Sequence, residues 1–241
     1  MKKLLIGLAL AAFAAGSAAA ETVRMGTEGA YPPYNFINDK GEVDGFEREL
    51  GDELCRRAGF ECTWVTNDWD SIIPNLVAGN YDTIIAGMSI TPERDQVIDF
   101  TEPYLKPDPS AYMALAGTNP DVKHGVIAAQ TGTIQAAYIA ETGATLVEFA
   151  TADETIAAVR NGEADAVLAD KSYLAPIVAE SNGEFVFVGD DVYIGGGVGM
   201  GVRESDTELK EKFNAAIRSM KADGSLNKLI VKWFGKDASL W

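Results

Sequence analysis

Short apolar runs rich in β-branched residues alternate along the chain with segments that have the helical period. Residues 22–26 have the first pattern and predict a strand. Residues 46–57 have the second pattern, because Phe46, Leu50 and Leu54 fall on one face of a helix. Strands that alternate with helices are typical of an α/β fold, and the pattern favours mainly parallel sheets.

The two patterns continue to the end of the chain. Apolar runs predict further strands at residues 62–66, 83–86, 97–100, 126–129, 145–149, 166–168 and 185–188, and one after the glycines at 195–197 that ends at 202. Helical patterns predict helices at residues 70–78, 134–141, 151–161, 173–179, 205–221 and 226–234. Thr151 with Glu154, and Ser205 with Glu208, have the spacing of a capping box at a helix start.

One stretch of the chain has an internal counterpart. Residues 73–86 (IPNLVAGNYDTIIA) match residues 156–169 (IAAVRNGEADAVLA) in their order of helix, glycine, aspartate and apolar strand. The first copy continues into residues 87–89 and the second into Asp170, so each places polar groups after the carboxyl end of a strand. Open α/β sheets bind ligands at that edge. The repeat predicts two lobes with a cleft between them, and chance similarity of two such units is the alternative.

Two segments have the composition of crossings between the lobes. Residues 106–109 (KPDP) favour an extended chain, and the glycine-rich stretch that ends at 201 is conformationally permissive. We therefore expect a discontinuous first lobe at residues 21–105 and 202–241, a second lobe at 110–192, and a two-strand hinge at 106–109 and 193–201.

The amino-terminal segment has the pattern of a secretory signal peptide. Lys2 and Lys3 precede an apolar run at residues 4–15, and small residues follow at 17–20. A membrane anchor is the alternative, but twelve apolar positions are too few to span a bilayer. We expect residues 1–20 to be removed before Glu21 and the protein to reach the periplasm.

Charge and cysteine content narrow the function classes. The formal net charge is −16, which disfavours a nucleic-acid partner because phosphate contacts need Lys and Arg. Export to an oxidising compartment makes a disulfide between Cys55 and Cys62 the expected state, with a stabilisation of roughly 2–3 kcal/mol. A zinc site needs more ligands, and the single histidine, His124, lies far away in sequence. We expect no metal and no cofactor.

Sequence signatures of catalysis are missing. The chain has no Gly-x-Ser-x-Gly, no His-Glu-x-x-His and no Walker loop, and Met200 stands where a dinucleotide fingerprint needs glycine. His124 stands in a polar stretch that is typical of a surface residue. These patterns predict no catalytic residue.

Two charged residues, Arg94 and Asp170, have positions that suit binding of charged groups on a ligand. Arg94 follows a turn at residues 89–93, and its guanidinium fork would match the two oxygens of a carboxylate. Asp170 ends the second repeat and could neutralise an ammonium group. The alternatives are a surface salt bridge for Arg94 and a helix N-cap for Asp170.

Two aromatic residues stand at predicted strand-to-helix connections. Tyr31 follows the first strand, and Trp69 precedes the helix that starts at residue 70. Each ring could form a wall for a flat or cationic group, which gains ~0.5–2 kcal/mol on a desolvated ring. As the alternative, either ring covers the edge of the core.

Several motifs together resemble one protein family along almost the whole mature chain. They are residues 26–36 (GTEGAYPPYNF), 45–50 (GFEREL), 69–74 (WDSIIP), 81–91 (YDTIIAGMSIT), 93–94, 98–100 (IDF), 132–133 and 206–209 (DTEL). The chain resembles the polar amino-acid-binding proteins of ABC importers, which include lysine/arginine/ornithine-, histidine-, glutamine- and opine-binding proteins. The resemblance implies the two-lobed type II periplasmic-binding-protein fold, in which each lobe is a mixed sheet flanked by helices.

The resemblance also implies a set of ligand contacts. Arg94, with backbone groups near Ser89 and the loop at Thr133 and Ile134, would bind the α-carboxylate. Asp170, the Ser89 hydroxyl and the Gly87 carbonyl would take the α-ammonium. Tyr31 and Trp69 would sandwich the side chain, and Glu28 would meet its cationic end. The Cys55–Cys62 spacing matches a disulfide of the basic-ligand branch. The full expected set is Glu28, Tyr31, Trp69, Ala86, Gly87, Ser89, Arg94, Gln130, Thr133, Ile134 and Asp170.

Some positions depart from the basic-ligand pattern. Ala86 and Gly87 stand where such binders often have serines, Gln130 is an amide at a variable position, and Glu28 could instead cap the loop at Gly29 and Ala30. We expect a monomer that delivers arginine, lysine, ornithine or an opine, ahead of glutamine, to membrane permease subunits. The alternative is an enzyme on the same fold, a cyclohexadienyl dehydratase, which would need a general acid and more cations for a second carboxylate.

Overall fold

The structure is a computed structural model that describes residues 20–241. The predicted signal peptide lies outside the described residues, apart from Ala20. The strands are β1 Thr22–Thr27, β2 Ala30–Tyr31, β3 Asn35–Ile37, β4 Val43–Asp44, β5 Glu61–Thr66, β6 Thr83–Ile84, β7 Asp99–Phe100, β8 Ser110–Leu115, β9 Val126–Gln130, β10 Thr145–Phe149, β11 Ala166–Asp170, β12 Phe185–Val192 and β13 Gly201–Val202. The helices are α1 Phe46–Ala58, α2 Ile72–Val77, α3 Ile134–Ala140, α4 Ala152–Asn161, α5 Lys171–Glu180, α6 Thr207–Ala222 and α7 Ser225–Phe234.

Two five-stranded sheets have the same pattern of strand directions. The first sheet has the order β5-β1-β6-β13-β7, and the second has the order β10-β9-β11-β8-β12. In each, the first three strands are parallel neighbours and the last two pairings are antiparallel. The sheets are therefore mixed, as the family resemblance implied. Four of the five strands in each sheet run in the same direction, in line with the expectation of mainly parallel sheets, and β13 and β8 run against their neighbours.

The internal repeat corresponds to one structural unit in each sheet. Gly79 and Gly162 follow α2 and α4 with positive φ angles of 82° and 76°. Asp82 exchanges two hydrogen bonds with the backbone of Arg24, at 2.9 Å each. Asp165 exchanges the same two bonds with the backbone of Val126, at 2.8 Å each. Each aspartate thus ties the turn before its strand to the neighbouring parallel strand.

Helix α1 follows from its apolar face. Phe46, Leu50 and Leu54 are fully buried, as the helical period predicts. The helix ends at Gly59, whose left-handed φ of 77° allows its N–H to reach the Cys55 carbonyl. The predicted disulfide between Cys55 and Cys62 is confirmed, and it joins the end of α1 to β5.

Two strand regions and one helix cap differ from the sequence-based prediction. The short sheet β2-β3-β4 and the strand β8 have no counterpart among the predicted strands. The capping box at Thr151 and Glu154 is confirmed. The cap at Ser205 is wrong: α6 has Asp206 at its N-cap, and the Ser205 hydroxyl donates to the Asp206 carboxylate instead.

The described residues hold neither of two features that would change the functional interpretation. Within residues 20–241, no helix has the length and apolar character that crossing a bilayer requires. The same part of the chain has no group of three or more His, Cys, Asp or Glu side chains arranged to hold a metal ion.

Candidate functional site

A cleft lies where the carboxyl ends of the strands of both sheets meet. Segments that follow β1 and β6 contribute from the first sheet, and β9 and β11 contribute their ends from the second. All eleven predicted residues line this cleft: Glu28, Tyr31, Trp69, Ala86, Gly87, Ser89, Arg94, Gln130, Thr133, Ile134 and Asp170. Gln135 lines it too and was not predicted.

Arg94 stands on a 3₁₀ turn, Arg94–Gln96, at the edge of the cleft. Its guanidinium donates to the Ser89 carbonyl at 2.8 Å and to the Gly132 carbonyl at 3.2 Å. No carboxylate of the described residues pairs with it, so the surface salt bridge considered as its alternative is absent from this part of the chain. Burial lowers the pKa of Arg94 to about 10. The group is a half-buried cation with N–H donors left for an anion.

Asp170 ends β11 in the second sheet and lines the same cleft as Arg94. Its carboxylate accepts the Tyr31 hydroxyl at 2.9 Å and the Gln135 amide at 3.0 Å. The residue occupies the N-cap position of α5, but its side chain makes no capping hydrogen bond. The Asp170 carboxylate therefore does not cap α5, which was the alternative considered for it. Burial raises the pKa of Asp170 to about 6, and the hydrogen bond from Tyr31 opposes that rise.

Glu28 and Gln130 meet across the cleft. The Gln130 amide donates to the Glu28 carboxylate at 2.6 Å and to the Ala150 carbonyl at 3.1 Å. Burial raises the pKa of Glu28 to about 7, and none of the described Lys or Arg side chains pairs with it to offset the desolvation of its charge. The N–H of Gly29 donates to the Asn35 side chain at 2.7 Å, so Glu28 does not cap the loop at Gly29.

The two aromatic residues lie in different surroundings. Tyr31 is buried and stacks on Tyr173 with 4.1 Å between ring centroids, so one of its faces belongs to the core. Trp69 lies in a 3₁₀ turn, and the Arg94 guanidinium lies 5.4 Å from its ring centroid. Each ring therefore lines the cleft and also packs against protein, and its role as a wall for a ligand stays a prediction.

Gly87 and Thr133 determine the backbone of two segments that line the cleft. Gly87 has a φ of +62°, a conformation that L side chains rarely adopt, and a Cβ there would lie 3.7 Å from the Tyr31 ring. Thr133 is the N-cap of α3 and accepts the Ala136 N–H at 3.2 Å. Its hydroxyl donates to the Gln130 carbonyl at 2.7 Å, which fixes the loop before Ile134.

Hydrogen bonds cross directly between the two sides of the cleft. They join Tyr31 to Asp170, Tyr34 to Ser172, Gln130 to Glu28, and Arg94 to Gly132. Gln135 was missed because a glutamine in a helix has no distinctive pattern. Its position directly after Thr133 and Ile134, in the first turn of α3, was the signal that could have found it.

Comparisons with known proteins agree with this geometry. The model of the family "Bacterial extracellular solute-binding proteins, family 3" matches residues 23–236. The lysine/arginine/ornithine-binding periplasmic protein of Escherichia coli (strain K12) is 36% identical over 252 residues, with 96% of this chain and 94% of that protein covered.

Two solved structures extend the comparison. A periplasmic His/Glu/Gln/Arg/opine family-binding protein from Silicibacter pomeroyi, in complex with lysine, is 74% identical, with a TM-score of 0.89 and coverage of 91% of this chain and 100% of that one. An ancestral amino acid-binding protein, described as a precursor of cyclohexadienyl dehydratase, is 30% identical, with a TM-score of 0.78 and coverage of 88% and 95%.

These matches confirm the expected family and the type II fold. The family model spans both sheets and the whole cleft, and the relatives are binding proteins that act outside the cytoplasm. The chain belongs to the bacterial extracellular solute-binding proteins of family 3.

Proposed function

We propose that the cleft binds a cationic L-amino acid or an opine derived from one, with arginine, lysine and ornithine ahead of glutamine. The observation that supports this proposal most strongly is the charge of the residues that line the cleft. Its lining has one cation, Arg94, and two carboxylates, Asp170 and Glu28. With these groups ionised the lining has a net charge of −1, which a zwitterion with one positive side chain neutralises.

The α-groups would bind at the end of the cleft near Arg94. The guanidinium fork suits the α-carboxylate, with help from the backbone near Thr133 and Ile134. Asp170 would take the α-ammonium together with the Ser89 hydroxyl and the Gly87 carbonyl. Ala86 offers no polar side chain there, so the ammonium would depend on Asp170 more strongly than in a site with an added hydroxyl.

The side chain of the ligand would extend between Tyr31 and Trp69 toward Glu28. A desolvated carboxylate with a raised pKa gains more from a cation than from a neutral amide, because the cation offsets the cost of its burial. A glutamate side chain would meet Glu28 as a like charge. The lysine complex of the 74% identical Silicibacter pomeroyi protein supports the same preference.

Competition calorimetry with arginine, lysine, ornithine, glutamine and glutamate tests this ligand class. The matched variant is Glu28→Gln, whose amide oxygen can still accept the Gln130 hydrogen bond while the charge is lost. We expect the variant to lose affinity for the cationic ligands and to change little toward glutamine. Tighter binding of glutamate than of arginine by the wild type would contradict the proposal.

The proposal includes the division into lobes and closure about a hinge. Strands of the first sheet come from residues 22–100 and 201–202, and those of the second come from residues 110–192. This supports crossings at 106–109 and 193–201, with lobes at 21–105 plus 202–241 and at 110–192. Since each side would supply half of the ligand contacts, a ligand would favour the closed state. Small-angle scattering should give a smaller radius of gyration with ligand, and an unchanged radius at saturation would argue against closure.

We further propose that the loaded protein acts in the periplasm as a monomer and delivers its ligand to the permease of an ABC importer. The family and the periplasmic relatives support this setting. The alternative is an enzyme of the cyclohexadienyl dehydratase type, because the chain is similar to the ancestral precursor of that enzyme. Of the described lining residues, Arg94 alone is a cation, which disfavours an acid with two carboxylates. Turnover of prephenate by the purified protein would overturn the assignment as a non-enzymatic binder.

A further inference from the structure

Glu47 is a fully buried carboxylate beneath the cleft, and the proposed ligand contacts do not use it. It lies in the first turn of α1, where the helix dipole favours negative charge. None of the described Lys or Arg side chains pairs with it. A buried charge without a cation is costly unless hydrogen bonds replace its water.

Three donors surround this carboxylate. One oxygen accepts the Gly87 N–H at 2.6 Å and also the Tyr104 hydroxyl, and the other accepts the Asn35 side-chain amide at 2.7 Å. Burial raises the pKa of Glu47, and these three hydrogen bonds oppose that rise. Because every neighbour donates, the arrangement fits the ionised form.

The hydrogen bonds continue beyond Glu47 to a second loop of the cleft. The Asn35 side-chain oxygen accepts the Gly29 N–H at 2.7 Å, directly after Glu28. A single chain of bonds therefore joins Gly29, Asn35, Glu47 and Gly87. Its side branch reaches Tyr104, two residues before the crossing at 106–109.

We propose that Glu47 is a positioning residue that holds the Glu28–Tyr31 loop, the Gly87 loop and the start of the 106–109 crossing in one fixed arrangement. The inference rests on the proposed amino-acid site, because these loops hold the groups that would contact both ends of the ligand. Its basis is the direction of the donors: backbone N–H groups at both ends of the chain can only donate, so each oxygen at the centre must accept one of these bonds.

The variant Glu47→Gln breaks this pattern wherever its amide points. If the new NH₂ faces Gly87, two donors meet there. If it faces Asn35, two donors meet unless the Asn35 amide turns over, and the mismatch then moves to Gly29. In every case one N–H group that is at least partly buried loses its acceptor, which is the expensive case for a hydrogen bond.

A second substitution restores the pattern. In the double variant Asn35→Asp with Glu47→Gln, the new aspartate accepts from Gly29 and from the new glutamine amide. The glutamine oxygen then accepts from Gly87 and Tyr104. The charge has moved by one residue, and every donor again has an acceptor. Packing or stability alone would not make two unfavourable changes compensate each other.

Hydrogen exchange of the Gly29 and Gly87 amides in the ligand-free protein tests the chain without reference to any ligand. We expect exchange at one or both amides to be about tenfold faster in Glu47→Gln, and close to wild type in the double variant. The matched control is Glu49→Gln on the same helix, whose carboxylate pairs with Lys232 and lies outside the chain. Unchanged exchange of both amides in Glu47→Gln, or no recovery in the double variant, would overturn the inference.

Ligand affinity gives the second readout. We expect Glu47→Gln to weaken binding of the best wild-type amino acid by about tenfold, and the double variant to stay within about threefold of wild type. If Glu47→Gln alone does not fold, the double variant must still fold, and an unfolded double variant would reject the inference. A wild type that binds none of the amino acids would reject the proposed function, while the exchange result would still decide the inference.

Discussion

Strands β6 and β11 occupy the same place in the two sheets, and each follows a helix, a glycine and an aspartate. They differ in what comes next. Strand β6 ends after two residues and leads into the open Ala86–Gly87 loop, whereas β11 continues for five residues and passes from Asp170 directly into α5. One scaffold thus places small residues and backbone groups after the first of these strands and a partly buried carboxylate after the second.

The difference also extends to the aspartates at the base of the repeats. Asp82 accepts bonds from the side chains of both Arg24 and Arg203, and these bonds lower its pKa to about 2 against the cost of burial. Asp165 accepts a hydrogen bond from the Val126 backbone, and none of the described Lys or Arg side chains forms an ion pair with it. The aspartate of the repeat therefore holds the turn before the strand in both sheets. The ion pairs occur only at Asp82, in the first sheet, among the described residues.

The largest effect on binding should come from Arg94, which supplies the cation of the cleft. Arg94→Ala should lower affinity for every amino acid by about 2–5 kcal/mol, because the ligand carboxylate would be buried without its partner. Calorimetry measures the loss, and circular dichroism checks that the variant is folded. Arg48→Ala is the matched control, since Arg48 is a partly exposed arginine that pairs with Asp52 outside the cleft. Near-normal affinity of Arg94→Ala would end the carboxylate assignment.

A smaller loss should follow from Asp170, because the Ser89 hydroxyl and the Gly87 carbonyl share the ammonium in the proposed site. Asp170→Asn should cost about 2 kcal/mol, or about thirtyfold in affinity. Asp191→Asn is the control, as its carboxylate pairs with Lys171 outside the cleft. If Asp170→Asn binds as the wild type does, the second half of the site contributes packing rather than charge.

The pH dependence of binding should distinguish the two carboxylates of the cleft. A cationic side chain binds best to ionised Glu28, so affinity should rise with pH up to about 8 and fall as Glu28 takes up its proton near pH 7. The loss between pH 8 and pH 6 is expected to be about tenfold from Glu28, with a further loss from Asp170 near pH 6.

The Glu28→Gln variant isolates the first of these contributions. It should keep only the weaker dependence that sets in near pH 6, which calorimetry at several pH values would detect. In the ligand-free protein the sign is reversed. The folded-state pKa of Glu28 is raised, so its contribution to stability is present below about pH 4.5 and is lost as the pH rises through 7. A wild-type affinity for arginine that does not change between pH 8 and pH 6 would contradict the role of Glu28.

The motifs predicted the scaffold and the lining of the cleft more completely than the contacts within it. Helical and alternating apolar periods predicted α1, and the Thr151–Glu154 spacing predicted the start of α4, because both are local properties. The strand β8 was missed although it is buried and lies at the centre of the antiparallel half of its sheet. Its partners β11 and β12 are distant in sequence, so no local pattern specifies its pairing.

The hydrogen-bond partners within the cleft could not be predicted for the same reason. Glu47 belongs to the motif at residues 45–50, which carries part of the family resemblance. Its hydrogen-bond partners Asn35, Gly87 and Tyr104 lie 12, 40 and 57 residues away from it in sequence. Ser205 shows the opposite case. A local capping pattern was present, and Asp206 at the adjacent position took the N-cap instead.

The smallest effect expected here concerns the aspartates of the two repeats and is measured in stability rather than binding. Asp82→Ala should cost about 2 kcal/mol of unfolding free energy and Asp165→Ala about 1 kcal/mol. Both variants free a backbone N–H, but only the first also leaves Arg24 and Arg203 without their shared carboxylate. Urea denaturation at pH 7 measures the difference, and added salt should reduce it because both arginines are partly exposed. Equal losses would mean that the ion pairs add nothing to the turn, and a larger loss from Asp165→Ala would reverse the comparison between the two halves.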